Sequence, residues 1–141
     1  MILLDTNVVS ELMKPDPNSQ VLAWFARIDG NDLFTSTVTE AEVRAGLAVM
    51  PEGRRRDALL AEANAMFENV LSEQILSFDR IAAHHCANVM ARRRAEGRPV
   101  QTADAMIVAI AIAHGFAVAT RDVRDFADTG VTVLNPFDGA L

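Results

Sequence analysis

The stretch Ile2-Leu3-Leu4-Asp5-Thr6-Asn7-Val8-Val9-Ser10-Glu11-Leu12 sets the fold. Three apolar residues end abruptly at Asp5-Thr6-Asn7, and Val8 to Met13 continues with helical character until Pro15, so the segment reads as a strand followed by a helix. The pattern then repeats along the chain. Val21, Trp24, Phe25 and Ile28 recur at helical spacing until Gly30. Leu33 to Val38 reads as a second strand, and a helix follows from about Thr39 to Met50, punctuated by Pro51 and Gly53. A polar, alanine-rich helix over about Arg54 to Asn69 leads to a brief strand, Gln74 to Ser77. Asp79 opens a helix that ends near Gly97, and Thr102 to His114 is an almost wholly apolar helix closed by Gly115. Ala117 to Thr120 and Val131 to Leu134 complete five strands. Strands alternating with helices predict an α/β fold, a three-layer α/β/α sandwich around a mostly parallel sheet.

Composition bounds what the motifs can mean. The 141 residues, half of them apolar, fit one domain, 1–141, with no repeat or linker. The longest apolar run, Ala105 to Ala113, is too short to span a bilayer, and Met1 leads straight into Ile2-Leu3-Leu4 without a basic region. A cytoplasmic protein without membrane contact is expected. Cys86 is the only cysteine, which excludes an intrachain disulfide and a multi-cysteine zinc site. The net charge of -6 argues against a broad basic surface for nucleic acid, so any such contact must be local. Twelve of the thirteen basic residues are Arg, including Arg54-Arg55-Arg56, Arg92-Arg93-Arg94 and Arg98. Their ordinary reading is solvated helix faces.

Carboxylates mark the ends of elements. Asp5 follows the first strand, Glu42 lies in the first turn after the second, and Asp122 lies just beyond the fourth. In an open parallel sheet these strand ends share one edge, where ligands bind. Asp104, in the first turn of the 102–114 helix, shares a face with Ile107, Val108 and Ala111 and is expected to point inward, with no Lys or Arg at adjacent helical positions. Each acid has an ordinary alternative. Asp5 and Asp122 suit helix or turn caps, and Thr39-Glu40-Ala41-Glu42 has the spacing of a capping box. Together they repel one another unless a cation neutralises them, and an all-oxygen set suits Mg²⁺ or Mn²⁺. Such a site is fitted to phosphodiester hydrolysis. There is no Gly-rich phosphate loop, G-x-S-x-G or H-E-x-x-H, and the adjacent His84 and His85 point to different faces, which leaves them to packing and surface positions.

These residues resemble, in order and over nearly the whole chain, the PIN-domain family and within it the FitB-like VapC toxins. Leu4 to Leu12 is similar to the first motif of that group and T-E-A-E-V-R-A-G at Thr39 to Gly46 to the second. Gly97-Arg98-Pro99 with Asp104-Ala105 and the apolar helix resembles the third, Thr120 to Phe126 the fourth, and Asn135-Pro136-Phe137 the usual ending. The resemblance implies Asp5, Glu42 and Asp104 as metal ligands, with Asp122, Asp125 or both as the fourth. It implies Thr6, Asn7 and Thr120 as their hydrogen-bonding support. Arg121 and Arg124 are candidate RNA contacts. It further implies a Mg²⁺- or Mn²⁺-dependent endoribonuclease leaving a 3′-hydroxyl and a 5′-phosphate, a toxin that forms a homodimer and pairs with an antitoxin, the antitoxin alone reaching operator DNA. Two other readings remain open. A receiver-type phosphoacceptor domain needs a Lys near the last strand, and the only Lys is Lys14. A structure-specific DNA nuclease needs DNA-gripping segments for which this length leaves little room.

Overall fold

The structure is a computed structural model that describes residues 1–139; Ala140 and Leu141 lie outside the described residues. In chain order the elements are β1 (Ile2–Leu4), α1 (Thr6–Leu12), α2 (Ser19–Arg27), β2 (Leu33–Ser36), α3 (Thr37–Ala48) and α4 (Arg54–Ala65). There follow β3 (Ile75–Leu76), α5 (Arg80–Ala95), α6 (Thr102–His114), β4 (Ala117–Ala119), α7 (Val123–Phe126) and β5 (Val133–Leu134). The five strands form one sheet in the order β3-β2-β1-β4-β5, every pairing parallel. The chain builds one half of the sheet outward from β1 through β2 and β3, then returns to the other side of β1 with β4 and β5. The strand order therefore reverses between β1 and β4, and a crevice opens at the carboxyl ends of those two strands.

Alternation along the short strands splits the core into two layers. Leu3 and Val118 face a cluster built on α5 and α6, with Ala82, Cys86, Val89, Ile107, Val108 and Ile110. Leu4 and Ala119 face the opposite cluster, with Val8, Val9, Val21, Trp24, Val43, Leu47 and Phe67. The expected three-layer sandwich is the fold. Helix α6 is buried over Ala105 and Ile107 to Ala111, which accounts for its apolar sequence on all sides.

Several boundaries differ from the sequence reading, each for a local reason. β2 ends at Ser36, two residues early, because the Ser36 hydroxyl accepts from the Thr39 amide (3.1 Å) and starts α3 at Thr37. The proposed capping box at Thr39 to Glu42 therefore does not form, since Thr39 is already inside the helix. α1 begins at Thr6, with Asp5 as its N-cap accepting from the Thr6 amide. β3, β4 and β5 are shorter than expected, and the helix from Arg54 gives way at Met66 to a π-helical turn that ends at Val70. No helix among the described residues is long and apolar enough to cross a membrane.

Gly115 closes α6 at φ +71°, in the left-handed region, where a side chain is strained even though a Cβ there meets nothing within 4 Å. Gly115→Ala is expected to lower unfolding free energy by about 1 kcal/mol through backbone strain alone. Urea unfolding measures the change, and a neutral result would place the C-cap outside the stability-determining features.

Candidate active site

The register that pairs Leu4 with Ala119 carries Asp5 and Thr120 to the mouth of the β1–β4 crevice. Asp5 prolongs the ladder by one bond, its amide donating to the Ala119 carbonyl (2.9 Å). Its carboxylate is buried and held on both oxygens. Oδ1 accepts from the Thr6 amide (2.8 Å), and Oδ2 accepts from Thr120 Oγ1 (2.7 Å) and Asn7 Nδ2 (3.2 Å). The same Asn7 amide reaches Thr120 Oγ1 (3.2 Å) and Asp122 Oδ2 (3.1 Å), while Asn7 Oδ1 accepts from the Arg121 amide (3.0 Å). Asn7 is thus the bracket between the turn after β1 and the turn after β4.

Glu42 arrives from α3, which leaves β2 at the same edge. Its Oε1 accepts from Thr6 Oγ1 (2.6 Å), and Thr6 Oγ1 also lies 3.2 Å from Thr39 Oγ1. Asp122 stands at the N-cap position of α7 but makes no capping bond there, so the cap reading fails for it as it does for Glu42. For Asp5 the cap reading holds, and its carboxylate also faces the crevice. Asp104 is half-buried in the first turn of α6 and turns toward the crevice, as its helical face predicts.

One pocket of about 510 Å³ gathers these groups, lined by Asp5, Thr6, Asn7, Ser10, Glu42, Gln101, Asp104, Asp122 and Asp125. All four sequence-derived acids and the alternate fifth, Asp125, line it, and no Lys or Arg does. Burial raises the Asp5 carboxyl against the lowering bonds from Thr120 and Thr6, and the charges of Glu42 and Asp122 push it further, to about 6. Asp104 is also pushed up to about 6, by burial first and then by the charges of Asp5, Asp125, Glu42 and Asp122. Among the described residues no three His, Cys, Asp or Glu side chains stand together as a group that could hold a metal ion in the positions they occupy here. The cluster is an open rim of oxygen donors with repulsion unrelieved by any cationic side chain.

The surroundings hold what sequence reasoning missed. Gln101 lines the pocket at the N-cap position of α6 without capping it, which leaves first-turn amides of that helix available at the crevice. Glu11 is a buried acid that accepts from Lys14 Nζ (2.9 Å), the Asn18 amide (3.0 Å) and Arg121 Nη2 (3.4 Å). Burial works to raise its carboxyl, but these bonds and the two cationic charges outweigh it and hold the group below the usual range. Arg121 is consequently tied back, with its guanidinium 3.9 Å from the centre of the Phe137 ring. Arg124 is exposed on α7 beside the pocket. The arginine runs divide. Arg92 and Arg98 pair with Glu96 at the surface and Arg54 and Arg55 are exposed, as expected for solvated faces, whereas Arg93 is buried. His84 is exposed and His85 half-buried, in ordinary surface positions.

The repulsion has a measurable sign. Asp5 and Asp104 bind a proton more tightly in the fold, near pH 6, than in the unfolded chain, near pH 4. In chelator their contribution to stability is therefore full below about pH 4 and is lost as pH rises through about 6. Asp104→Asn removes one of these charges at constant shape. At pH 7 in chelator it is expected to melt no lower than wild type, with a smaller fall in melting temperature between pH 5 and 7. A mutant melting lower than wild type at both pH values would identify Asp104 as a structural cap instead.

Comparison with known proteins places the fold and the family. The family model described as PIN domain matches residues 2–131. The plasmid stability protein StbB of Pseudomonas syringae pv. tomato is 45% identical, over 98% of this chain and 99% of its own. The VapC ribonuclease Y4jK of Sinorhizobium fredii is 41% identical, over 99% and 100%. Among solved structures, that of FitAB bound to an IR36 DNA fragment contains a chain with a TM-score of 0.89 and 36% identity, over 97% of this chain and 96% of that one. The chain belongs to the PIN-domain family, among the VapC and FitB toxins of toxin–antitoxin systems.

Proposed function

We propose that the protein is a Mg²⁺- or Mn²⁺-dependent endoribonuclease whose activity an antitoxin restrains. The observation that carries this reading is the crevice itself, where five carboxylates face one space without a cationic side chain among its lining residues. The donor set fits a hard divalent ion, because only oxygen ligands are offered and the repulsion that raises Asp5 and Asp104 is what such an ion relieves. Asp5, Glu42 and Asp104 would hold it, with Asp122 or Asp125 completing the set. When bound, the ion supplies a lowered pKa for water and positive charge against the developing phosphorane. RNA as substrate is supported by the ribonuclease name of the Sinorhizobium relative.

The chain's own residues do the positioning. Thr6, Thr120 and Asn7 fix both Asp5 oxygens, and Thr6 fixes Glu42, so these ligands need little reordering when substrate arrives. The uncapped first turn of α6 offers amides to a phosphate oxygen. Asp122, held by Asn7, would complete the ligand set or accept a hydrogen bond from the attacking water. In-line attack on phosphorus breaks the P–O3′ bond and leaves a 3′-hydroxyl and a 5′-phosphate. Arg124 is the exposed cation nearest in sequence to Asp125 and is assigned to the RNA backbone. Arg121, already engaged by Glu11 and Phe137, shapes the turn instead.

A second cavity supports the partner. A groove of about 660 Å³ shares Thr6, Ser10 and Glu42 with the acid pocket and continues between α1, α3 and α4 over Met13, Pro15, Val43, Gly46, Leu47 and Leu59. Its lining is mainly apolar, with Lys14, Asp16 and Arg55 also along it, and it opens at Glu42 onto the acid pocket, which suits a partner segment with apolar anchors and a basic side chain at the Glu42 end. The similar FitAB assembly is bound to DNA, which supports a partner that carries the DNA contact. This chain, at a net charge of -6, is itself ill suited to that contact.

Cleavage of total RNA by the purified, partner-free protein should require Mg²⁺ or Mn²⁺ and fall to background with Asp5→Asn, Glu42→Gln or Asp104→Asn. Asn7→Ala should lose about 10–100-fold, as for a residue that orients ligands. Full activity of any of the three acid variants, or cleavage of duplex DNA in preference to RNA, would overturn the assignment. Comparing Asp122→Asn with Asp125→Asn decides the fourth position. The partner complex should cleave far more slowly than the free protein. Gly46→Trp, at an exposed helical position where a Cβ meets nothing within 4 Å, should fill the groove, weaken the complex and leave the free nuclease active. Equal cleavage by free and complexed protein would remove the inhibition model.

A further inference from the structure

Arg93 lies in the last turn of α5, within a run that reads as a solvated face, yet it is 4% exposed. No carboxylate stands within 4 Å of it among the described residues, although its charge, after those of Arg98 and Arg92, helps hold the nearby Asp128 carboxyl below the usual range. Its guanidinium instead donates to three backbone carbonyls: Nε to Arg98 O (2.8 Å), and Nη1 to Asp125 O (3.2 Å) and Ala127 O (2.8 Å). Burying a guanidinium is costly unless its donors are satisfied, so a cation spent on carbonyls alone needs a reason.

The carbonyls supply one. Asp125 and Ala127 end α7, a helix of four residues that carries Asp125 and begins beside Asp122. One turn is too short to hold itself, because the cost of nucleation is not recovered by propagation. Its start is tied by the Arg121 amide to Asn7, and Phe126 anchors it in the core. Its end is tied to Arg93. Arg98, the third acceptor, lies in the loop that leads to Gln101 and the helix of Asp104.

We propose that Arg93 is a positioning residue for the metal site, one guanidinium that fixes α7, with Asp125 on it and Asp122 at its start, against the segment leading to Asp104. Its planar fork binds two strands of chain at once, which a point-charge ammonium does not reproduce. The inference rests on the metal-dependent reading of the crevice.

The test is Mn²⁺ binding to the partner-free protein, read from the free-ion EPR signal, alongside hydrogen exchange of residues 122–127. Arg93→Gln should weaken Mn²⁺ binding by about tenfold, as loss of a ligand-orienting contact does. It should also speed exchange in residues 122–127 while α6 and the sheet keep their protection. Arg93→Lys should recover part of the affinity and carries the test if the Gln variant does not fold. Whichever of Asp122→Asn and Asp125→Asn weakens Mn²⁺ binding should have a smaller effect in the Arg93→Gln background, since the two changes then act on one ligand. Wild-type Mn²⁺ affinity in the Arg93 variants, or additive effects in the double variant, would overturn the role of Arg93 and leave the proposed function standing. A wild-type protein that binds no Mn²⁺ would overturn the proposed function, and with it this inference.

Discussion

The hydrogen bond from Thr120 Oγ1 to Asp5 Oδ2 joins the carboxyl ends of the two central strands at the point where the strand order reverses. Asp5 is the one acid of the cluster that is fully buried, and it cannot be solvated there. It is kept by donors from both sides of the crevice: the Thr6 amide and Asn7 from the first turn of α1, and Thr120 from the end of β4. The bond therefore does two jobs with one geometry. It satisfies a polar group that burial would otherwise penalise, and it sets the distance between the two turns that carry the remaining acids.

Around that bond the site is built against stability. Four other carboxylates share the crevice with Asp5, and burial first, then charge from Glu42 and Asp122 on Asp5 and from all the other acids on Asp104, pushes the pKa of each up to about 6. Two sheet-facing clusters of apolar residues bear the fold on either side, so the crevice can tolerate repulsion that a small core would not. The arrangement resembles other binding sites in which strain is stored where a ligand will relieve it.

The parts legible in the sequence are those written by local rules. The abrupt end of Ile2-Leu3-Leu4 at Asp5, the apolar run of α6 closed by Gly115, and the alternation of strands with helices were enough for the sandwich and for the edge where Asp5, Glu42, Asp104 and Asp122 meet. Asp104 points inward as its helical face requires. What misled was ambiguity at helix starts. Thr39 and Glu42 have capping-box spacing, but Ser36 takes the cap and leaves both side chains to Thr6, thirty-odd residues away in the chain. What stayed hidden was long-range pairing. Nothing in Arg92-Arg93-Arg94 marks the middle residue as the buried one, because two of its three partners are carbonyls more than thirty residues downstream. The tie between Glu11, Arg121 and Phe137 is likewise a tertiary fact, and helical spacing from Glu11 reaches only Lys14.

The central pairing of β1 with β4 also fixes when the site can exist. Asp5 and Thr120 are 115 residues apart in the chain, and Asp104, Asp122 and Asp125 all lie in its last quarter or close to it. Synthesis delivers the N-terminal part first. A growing chain therefore presents Asp5 and Glu42 early but cannot assemble their partners until β4 has left the ribosome and threaded beside β1. A chain broken off before that point lacks Thr120, Asp122 and Asp125, so its earlier acids are left without the β4 side of the crevice. Translation thus delivers β4 and the last acids of the crevice together, so the full set of carboxylates gathers only once the chain has been made through Asp125.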